Sequence, residues 1–344
     1  MYSEHFEDLA RISVAVGKEP DLIQSGGGNT SVKFGDEFMA IKASGLRLNE
    51  MTPSKGFVVV NRKAILDYFD KVDFSSGIDY ESDMVSFVNR NITDIPGLEK
   101  MRPSVEAPFH SFLDKVVIHS HSVYANILCC SKEGESLASE IFPSELFLWV
   151  PYVNPGFTLS WEIRKGIRER LDKTGIFPKV IFMQNHGLIV SEATPDACID
   201  LHLQVNRRII EYFGLPQPYP TPGIRKTDDN VYESTGEIVL SLFDSSKANF
   251  EFLDRYALYP DQLVYLNKAF ALNTGKISVE QNGKVLYNAG EREASGIEDT
   301  LAAYLYVLDT VKRLHLSLSV LTQEQKNFIY GWEIERYRLK QAGG

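Results

Sequence analysis

Two histidines two positions apart close a hydrophobic run, Val116-Val117-Ile118-His119-Ser120-His121. In an extended strand, side chains at i and i+2 leave the same face, so His119 and His121 are able to share one ligand. A third, His186, stands in Gln184-Asn185-His186-Gly187, directly after another apolar run, Val180-Ile181-Phe182-Met183. Upstream, Ser104-Val105-Glu106-Ala107-Pro108-Phe109-His110 supplies a carboxylate. Three imidazoles and one carboxylate form the N and O ligand set of an open, catalytic Zn²⁺ site, or of a related divalent cation. The chain has seven histidines, and three of them occupy these strand-end contexts. An H-x-H pair alone is equally well a pair of hydrogen-bonded core histidines, so other segments must decide.

The elements that position these groups follow from periodicity and punctuation. Residues 4–18 read as an amphipathic helix, followed by a turn at Gly26-Gly27-Gly28. Strand-like runs follow around Ser31–Lys33, Phe38–Ile41 and Phe57–Val60, then short helices at 61–69 and 84–90. If 106–113 is helical, Glu106 and His110 share a face. A strand ending at His121 precedes an apolar helix at 124–131, and Pro151 to Gly156 is a loop. Helical spacing returns at 161–174, two strand pieces flank His186-Gly187 within 180–190, and a helix over 195–212 starts on Pro195.

Proline alternates with turn residues at 216, 218, 220 and 222, which places a boundary near 214–227. The expected division is a catalytic region, 1–214, and a smaller C-terminal α+β accessory region, 215–344. In the second region Gln262–Leu266 reads as a strand. Ile277–Glu280 and Lys284–Tyr287 read as a hairpin about Asn282-Gly283, and 297–316 and 323–339 as helices.

Composition bounds the function. The balance of 36 basic against 46 acidic residues gives a net charge of −10, which disfavours a nucleic-acid surface. No run of 18 apolar residues predicts a membrane span, and the acidic, polar N-terminus is unlike a signal peptide. Three cysteines, Cys129, Cys130 and Cys198, form an odd, sparse set, and the adjacent Cys129-Cys130 in an apolar stretch reads as reduced core thiols of a cytoplasmic protein.

Ser25-Gly26-Gly27-Gly28-Asn29-Thr30-Ser31, Lys42-Ala43-Ser44-Gly45, Arg102-Pro103-Ser104-Val105-Glu106, His119-Ser120-His121 and Asn185-His186-Gly187 occur in one fixed order. Together they resemble the class II aldolase and adducin family over residues 5–214. The Gly-Gly-Gly-Asn-Thr-Ser form and the tail Trp332-Glu333-Ile334-Glu335-Arg336-Tyr337-Arg338 look closest to its rhamnulose- and fuculose-phosphate aldolase group, of the rhamnose-utilisation kind.

The resemblance implies a three-layer α/β/α fold with a mixed, mainly antiparallel sheet. It implies zinc on His119, His121 and His186, with Glu106 as fourth ligand in the resting site and general base once substrate displaces it. Gly28, Asn29, Ser44, Gly45 and Ser104 would bind the phosphate and substrate. The implied reaction is cleavage of a ketose 1-phosphate to dihydroxyacetone phosphate and an aldehyde through a metal-stabilised enediolate, in a cytoplasmic homo-oligomer, a tetramer by resemblance. A phosphopentulose 4-epimerase and a 3-oxo-acid phosphate decarboxylase use the same site, though family epimerases tend to carry Asp where Glu106 stands. A non-catalytic, adducin-like scaffold is the alternative of another class, but adducin heads lack the zinc histidines.

Two departures stand out. Val105 replaces a second phosphate serine, and no tyrosine occurs in 131–148 to serve as the neighbouring subunit's acid, leaving Glu133, Glu135, Glu140 and Glu145 as candidates. His110 fits a supporting or packing role, and His5, His202 and His315 read as surface or helix-face residues. Lys33 and Lys42 read as strand-edge or phosphate-neighbour charges, since no lysine Schiff base is required.

Overall fold

Strands buried along their whole length dictate the layers. In the computed structural model, which describes residues 3–143, 146–267, 269 and 275–331, eight strands form one sheet. They are β1 Asn29–Phe34, β2 Phe38–Lys42, β3 Phe57–Asn61, β4 Ile92–Thr93, β5 Val116–Ser120, β6 Phe147–Val150, β7 Val180–Met183 and β8 Gly187–Glu192. Their order is β4-β3-β2-β1-β5-β8-β7-β6, antiparallel throughout except for the parallel β6–β7 pair. Val116, Ile118, Leu188 and Val190 enter one apolar cluster with the helices Ser3–Gly17, Val123–Cys129 and Pro195–Phe213. Val117, Ile181 and Ile189 point the other way, onto Phe109 and onto Ile163 and Ile167 of the helix Phe157–Thr174. Both faces are covered, so these strands read as continuous apolar runs instead of alternating ones. The result is the expected α/β/α sandwich with a mixed, mainly antiparallel sheet.

Helix ends are set by local chemistry. Ser122 caps Val123–Cys129 by accepting from Ala125 N–H. Thr194 caps Pro195–Phe213 in the same way, Pro195 sits where no donor is needed, and Gly214 closes the helix in the left-handed conformation. The helix read over 161–174 begins earlier, at Phe157, because the Glu81 carboxylate accepts from the N–H groups of Phe157 and Thr158 and replaces a local cap. Around Glu106 only one helical turn forms, Ala107–His110, with Glu106 at its head.

A second antiparallel sheet contains β9 Ile224–Asp228, β10 Val231–Ser234, β11 Ile277–Val279 and β12 Val285–Asn288, in the order β11-β12-β10-β9. The long helix Glu291–Arg313 starts six residues before the expected 297 and packs on Val123–Cys129. Leu301, Tyr304 and Leu308 join the same apolar cluster as Tyr124, Ala125 and Leu128.

One expectation fails: Gln262–Leu266 is not a strand but part of a π-helical stretch, Gln262–Asn267. All six residues are buried, and an apolar run buried on every side carries no period to separate helix from strand. The final helix is seen as Gln323–Gly331, and the tail from Trp332 to Arg338 lies outside the described residues. Among the described residues no helix is long and apolar enough to cross a membrane.

Candidate metal centre and substrate cleft

Strand register brings the sequence motifs together. Asn29 of β1 pairs with His119 of β5, and His119 pairs with Ile189 of β8 on its other side. His121 follows two residues on, and His186 sits in the turn between β7 and β8. One ligand atom from each of His119, His121 and His186 lies within 4.8 Å of the others, and all three side chains are buried. Glu106 closes the group, with Oε1 3.1 Å from His186 Nε2 and Oε2 3.7 Å from His119 Nε2.

Hydrogen-bond partners identify the atoms available to a cation. His119 Nδ1 lies 3.0 Å from the Leu188 carbonyl oxygen, which only accepts, so Nδ1 carries the proton and Nε2 the lone pair. His121 Nδ1 lies 2.7 Å from the Asp261 carboxylate, which assigns the same tautomer. With both rings neutral, the two Nε2 atoms face each other at 3.1 Å as converging lone pairs. Such a pair of lone pairs is repulsive unless a cation sits between them, so this donor set fits a divalent metal. Burial pushes His119 down to about 3, which keeps the ring neutral. Burial alone would raise the Glu106 carboxyl, but the imidazoles of His119 and His186 outweigh it and hold the group well below its usual range.

Glu106 is also held from behind. Asn29 donates through Nδ2 to Glu106 Oε2 and to Ser104 Oγ, the latter at 3.2 Å. That turns Asn29 Oδ1 toward His110, whose Nε2–H donates to it. His110 Nδ1 must then accept, and Ser31 Oγ donates to it at 2.8 Å. Ser31, His110, Asn29 and Glu106 thus form one directed chain of hydrogen bonds, in which His110 stands behind Asn29.

The remaining expected residues line a single cleft. Gly28, Asn29, Ser44, Gly45, Ser104 and Glu106 share its wall with His121 and His186. Ser104 Oγ accepts from Asn29 and from Glu106 N–H, which leaves its own proton for a ligand. Lys42 is no strand-edge charge. It is buried, donates to the carbonyls of Gly26 and Gly28 at 2.7 and 2.9 Å, and so pins the glycine turn while bordering the cleft. Gly28 adopts φ +61°, and a Cβ there would lie 2.7 Å from the His119 carbonyl. Lys33 is also buried and donates to the Asp114 carbonyl at 2.6 Å.

Of its two readings, surface or helix-face, His202 takes the second, and the face is the buried one. It is fully buried, and its Nε2 lies 2.6 Å from the Oγ of Ser120, the residue between His119 and His121. Of the candidate acids, Glu133 accepts from Ser317 N–H and Glu140 from Tyr212, while Glu145 lies outside the described residues.

Sequence reasoning missed Asp261. It arrives from the C-terminal region, is 3% exposed, lines the cleft with Pro260 and bonds to His121. The segment Tyr259-Pro260-Asp261 carries no motif. The only trace upstream is Gly27, where a Cβ would lie 2.3 Å from Asp261 Oδ2 and 2.7 Å from His121 Nδ1.

The chain is 28% identical over 217 residues to the uncharacterized oxidoreductase YuxG of Bacillus subtilis (strain 168), a match covering 60% of this chain and 29% of that protein. The chain therefore spans under a third of that relative's length. Among solved structures, the N-terminal class II aldolase domain of a conserved protein from Thermoplasma acidophilum is 26% identical with a TM-score of 0.50, over 60% of this chain and 92% of that one. An L-fuculose 1-phosphate aldolase from Glaciozyma antarctica PI12 is 12% identical with a TM-score of 0.38, over 91% and 90% of the two chains. The family model described as the class II aldolase and adducin N-terminal domain matches residues 7–209, and the chain belongs to that family.

Proposed function

We propose that the protein is a zinc-dependent lyase that cleaves a ketose 1-phosphate to dihydroxyacetone phosphate and an aldehyde. The observation that carries this reading is the convergence of three imidazoles and the Glu106 carboxylate at one wall of a cleft that also presents Ser44, Gly45 and Ser104. An intact ligand set is what a non-catalytic scaffold has no need to keep.

His119, His121 and His186 would hold the cation, with Glu106 beside them. When bound it supplies Lewis acidity, polarising the substrate carbonyl and stabilising the negative charge that carbon–carbon cleavage leaves on oxygen. Glu106 moves the proton: it takes one from the donor carbon in the synthetic direction and returns it in cleavage. Its depressed pKa means that it starts ionised, as a base must. Asn29 fixes the carboxylate's orientation through Nδ2, so its contribution is to aim the base as well as to border the phosphate. The Ser104 hydroxyl, Ser44 and the backbone of Gly45 bind the phosphate, with the Lys42 ammonium adding positive charge to the same wall. On this reading residues 1–214 carry the chemistry, and the working unit is a cytoplasmic homo-oligomer, a tetramer.

The test is a screen of ketose 1-phosphates for aldehyde release, before and after exhaustive chelation and again after zinc is restored. Release that vanishes with the metal and returns with it is expected. Turnover that survives complete metal removal refutes the mechanism. Stereochemical inversion without aldehyde release, or loss of CO₂ from a 3-oxo-acid phosphate, would move the protein to the epimerase or decarboxylase branch.

A further inference from the structure

The C-terminal region reaches the metal centre at two points. Asp261 Oδ2 accepts from His121 Nδ1–H at 2.7 Å, with both side chains nearly fully buried. Gly27 fits between them and the glycine turn only because it has no side chain. The second point is the turn that carries His186. Asn185, at φ +52°, donates through Nδ2 to the carbonyls of Leu258 and Ser319 at 2.7 and 2.8 Å, and accepts through Oδ1 from Ser319 Oγ at 2.8 Å. Leu258 is in turn fixed by Gln262, whose Oε1 accepts from Leu258 N–H at 2.7 Å and whose Nε2 donates to the Leu253 carbonyl at 2.9 Å. Residues 258–262 therefore form one hydrogen-bonded unit that grips the His186 turn at one end and the His121 ring at the other.

We infer that Asp261 is a positioning residue of the metal centre, holding His121 in the tautomer and orientation that aim Nε2 at the cation. The C-terminal region is then part of the active site, not an appendage to it. The inference rests on the proposed metal-dependent reading. A carboxylate on the far nitrogen of a ligand imidazole fixes the ring, removes the competing tautomer and raises the basicity of the ligating atom; losing such a partner typically costs about 10- to 100-fold in metal affinity. Asp261 reaches His121 across 140 residues of chain and does so from outside the family-matched segment, 7–209.

The experiment measures zinc affinity by competition with a chromophoric chelator on the full chain, for wild type, Asp261→Ala and Asp261→Asn, with thermal unfolding of each metal-free protein alongside. The expected result is a loss of about 10- to 100-fold for Asp261→Ala. Asp261→Asn, whose side-chain oxygen still accepts from Nδ1–H, should recover part of that loss, while the metal-free unfolding temperatures stay close together. The cobalt-substituted forms should show a changed visible spectrum for Asp261→Ala, which a merely structural contact would not cause. Wild-type affinity in Asp261→Ala, or an equal loss in both variants with an unchanged cobalt spectrum, overturns the inference. If Asp261→Ala does not fold, the isosteric Asp261→Asn decides alone: a cobalt spectrum and zinc affinity identical to wild type would overturn it. Failure of the wild type itself to bind metal is a different result and overturns the functional proposal instead.

Discussion

Glu106 is the residue to which the proposed function gives both a ligand and a base role, and its surroundings allow the two to be separated. It is backed by Asn29, whose amide accepts from His110, which accepts from Ser31. Replacing Glu106 by Gln keeps the shape and one acceptor oxygen for Asn29 but removes the proton acceptor. The three histidines remain, so Glu106→Gln should hold at least a large fraction of the wild-type zinc, measured by elemental analysis, while kcat falls by roughly 10²- to 10⁴-fold. Retention of near-wild-type turnover would remove Glu106 from the base role. The histidine set and Glu106 were legible because each lies within a few residues of its motif. Asp261 was not, because its partner is 140 residues away and a buried carboxylate paired to an imidazole leaves no spacing rule. Asn29 was read for phosphate, and its hold on Glu106 became visible only once register set β1 against β5.

At the level of elements, most strands and helices were read to within a few residues, the fully buried Val116–Ser120, Val180–Met183 and Val123–Cys129 among them, and Gln262–Asn267 is the exception. Gln262–Asn267 lost its identity to uniform burial, and His202, read as surface or helix-face, stands on the buried face of its helix. In the helix Pro195–Phe213 its face is set by Cys198, Val205 and Ile209 packing under the sheet, and a histidine among them reads as polar until Ser120 Oγ is found 2.6 Å away. That burial has a measurable consequence. Desolvation lowers His202 from an ordinary 6.5 to about 4, so between those values the unfolded chain binds a proton that the folded chain refuses. Stability from this group is complete above pH 6.5 and is lost as pH falls toward 4, by an amount on the order of 3 kcal/mol. His202→Gln keeps a donor for Ser120 but does not titrate. Urea midpoints of the variant should therefore fall less than those of wild type between pH 6.5 and 4.5; parallel curves would show that His202 is protonated in the folded state.

For the whole molecule, the proline-rich stretch after Gly214 marks a change of sequence pattern and follows the end of the family match at 209, yet the apolar interior runs across it. Tyr124, Ala125 and Leu128 beneath the sheet pack in one cluster with Leu301, Tyr304 and Leu308 of the long C-terminal helix, and Tyr219, Tyr232 and Tyr287 extend the same cluster toward the second sheet. Added to this are the polar ties from Asp261 to His121 and from Leu258 and Ser319 to Asn185. A boundary drawn from composition separates stretches of chain, while cooperativity follows shared buried surface, and here the two do not coincide. Metal bound at the histidines should then stabilise both regions together. Scanning calorimetry of the metal-free chain is expected to give one main transition, and zinc at a hundredfold excess over its dissociation constant should add about 2.7 kcal/mol and move that transition as a unit. Two transitions, with the one for residues 215–344 unmoved by zinc, would show that the C-terminal region folds apart from the site it touches.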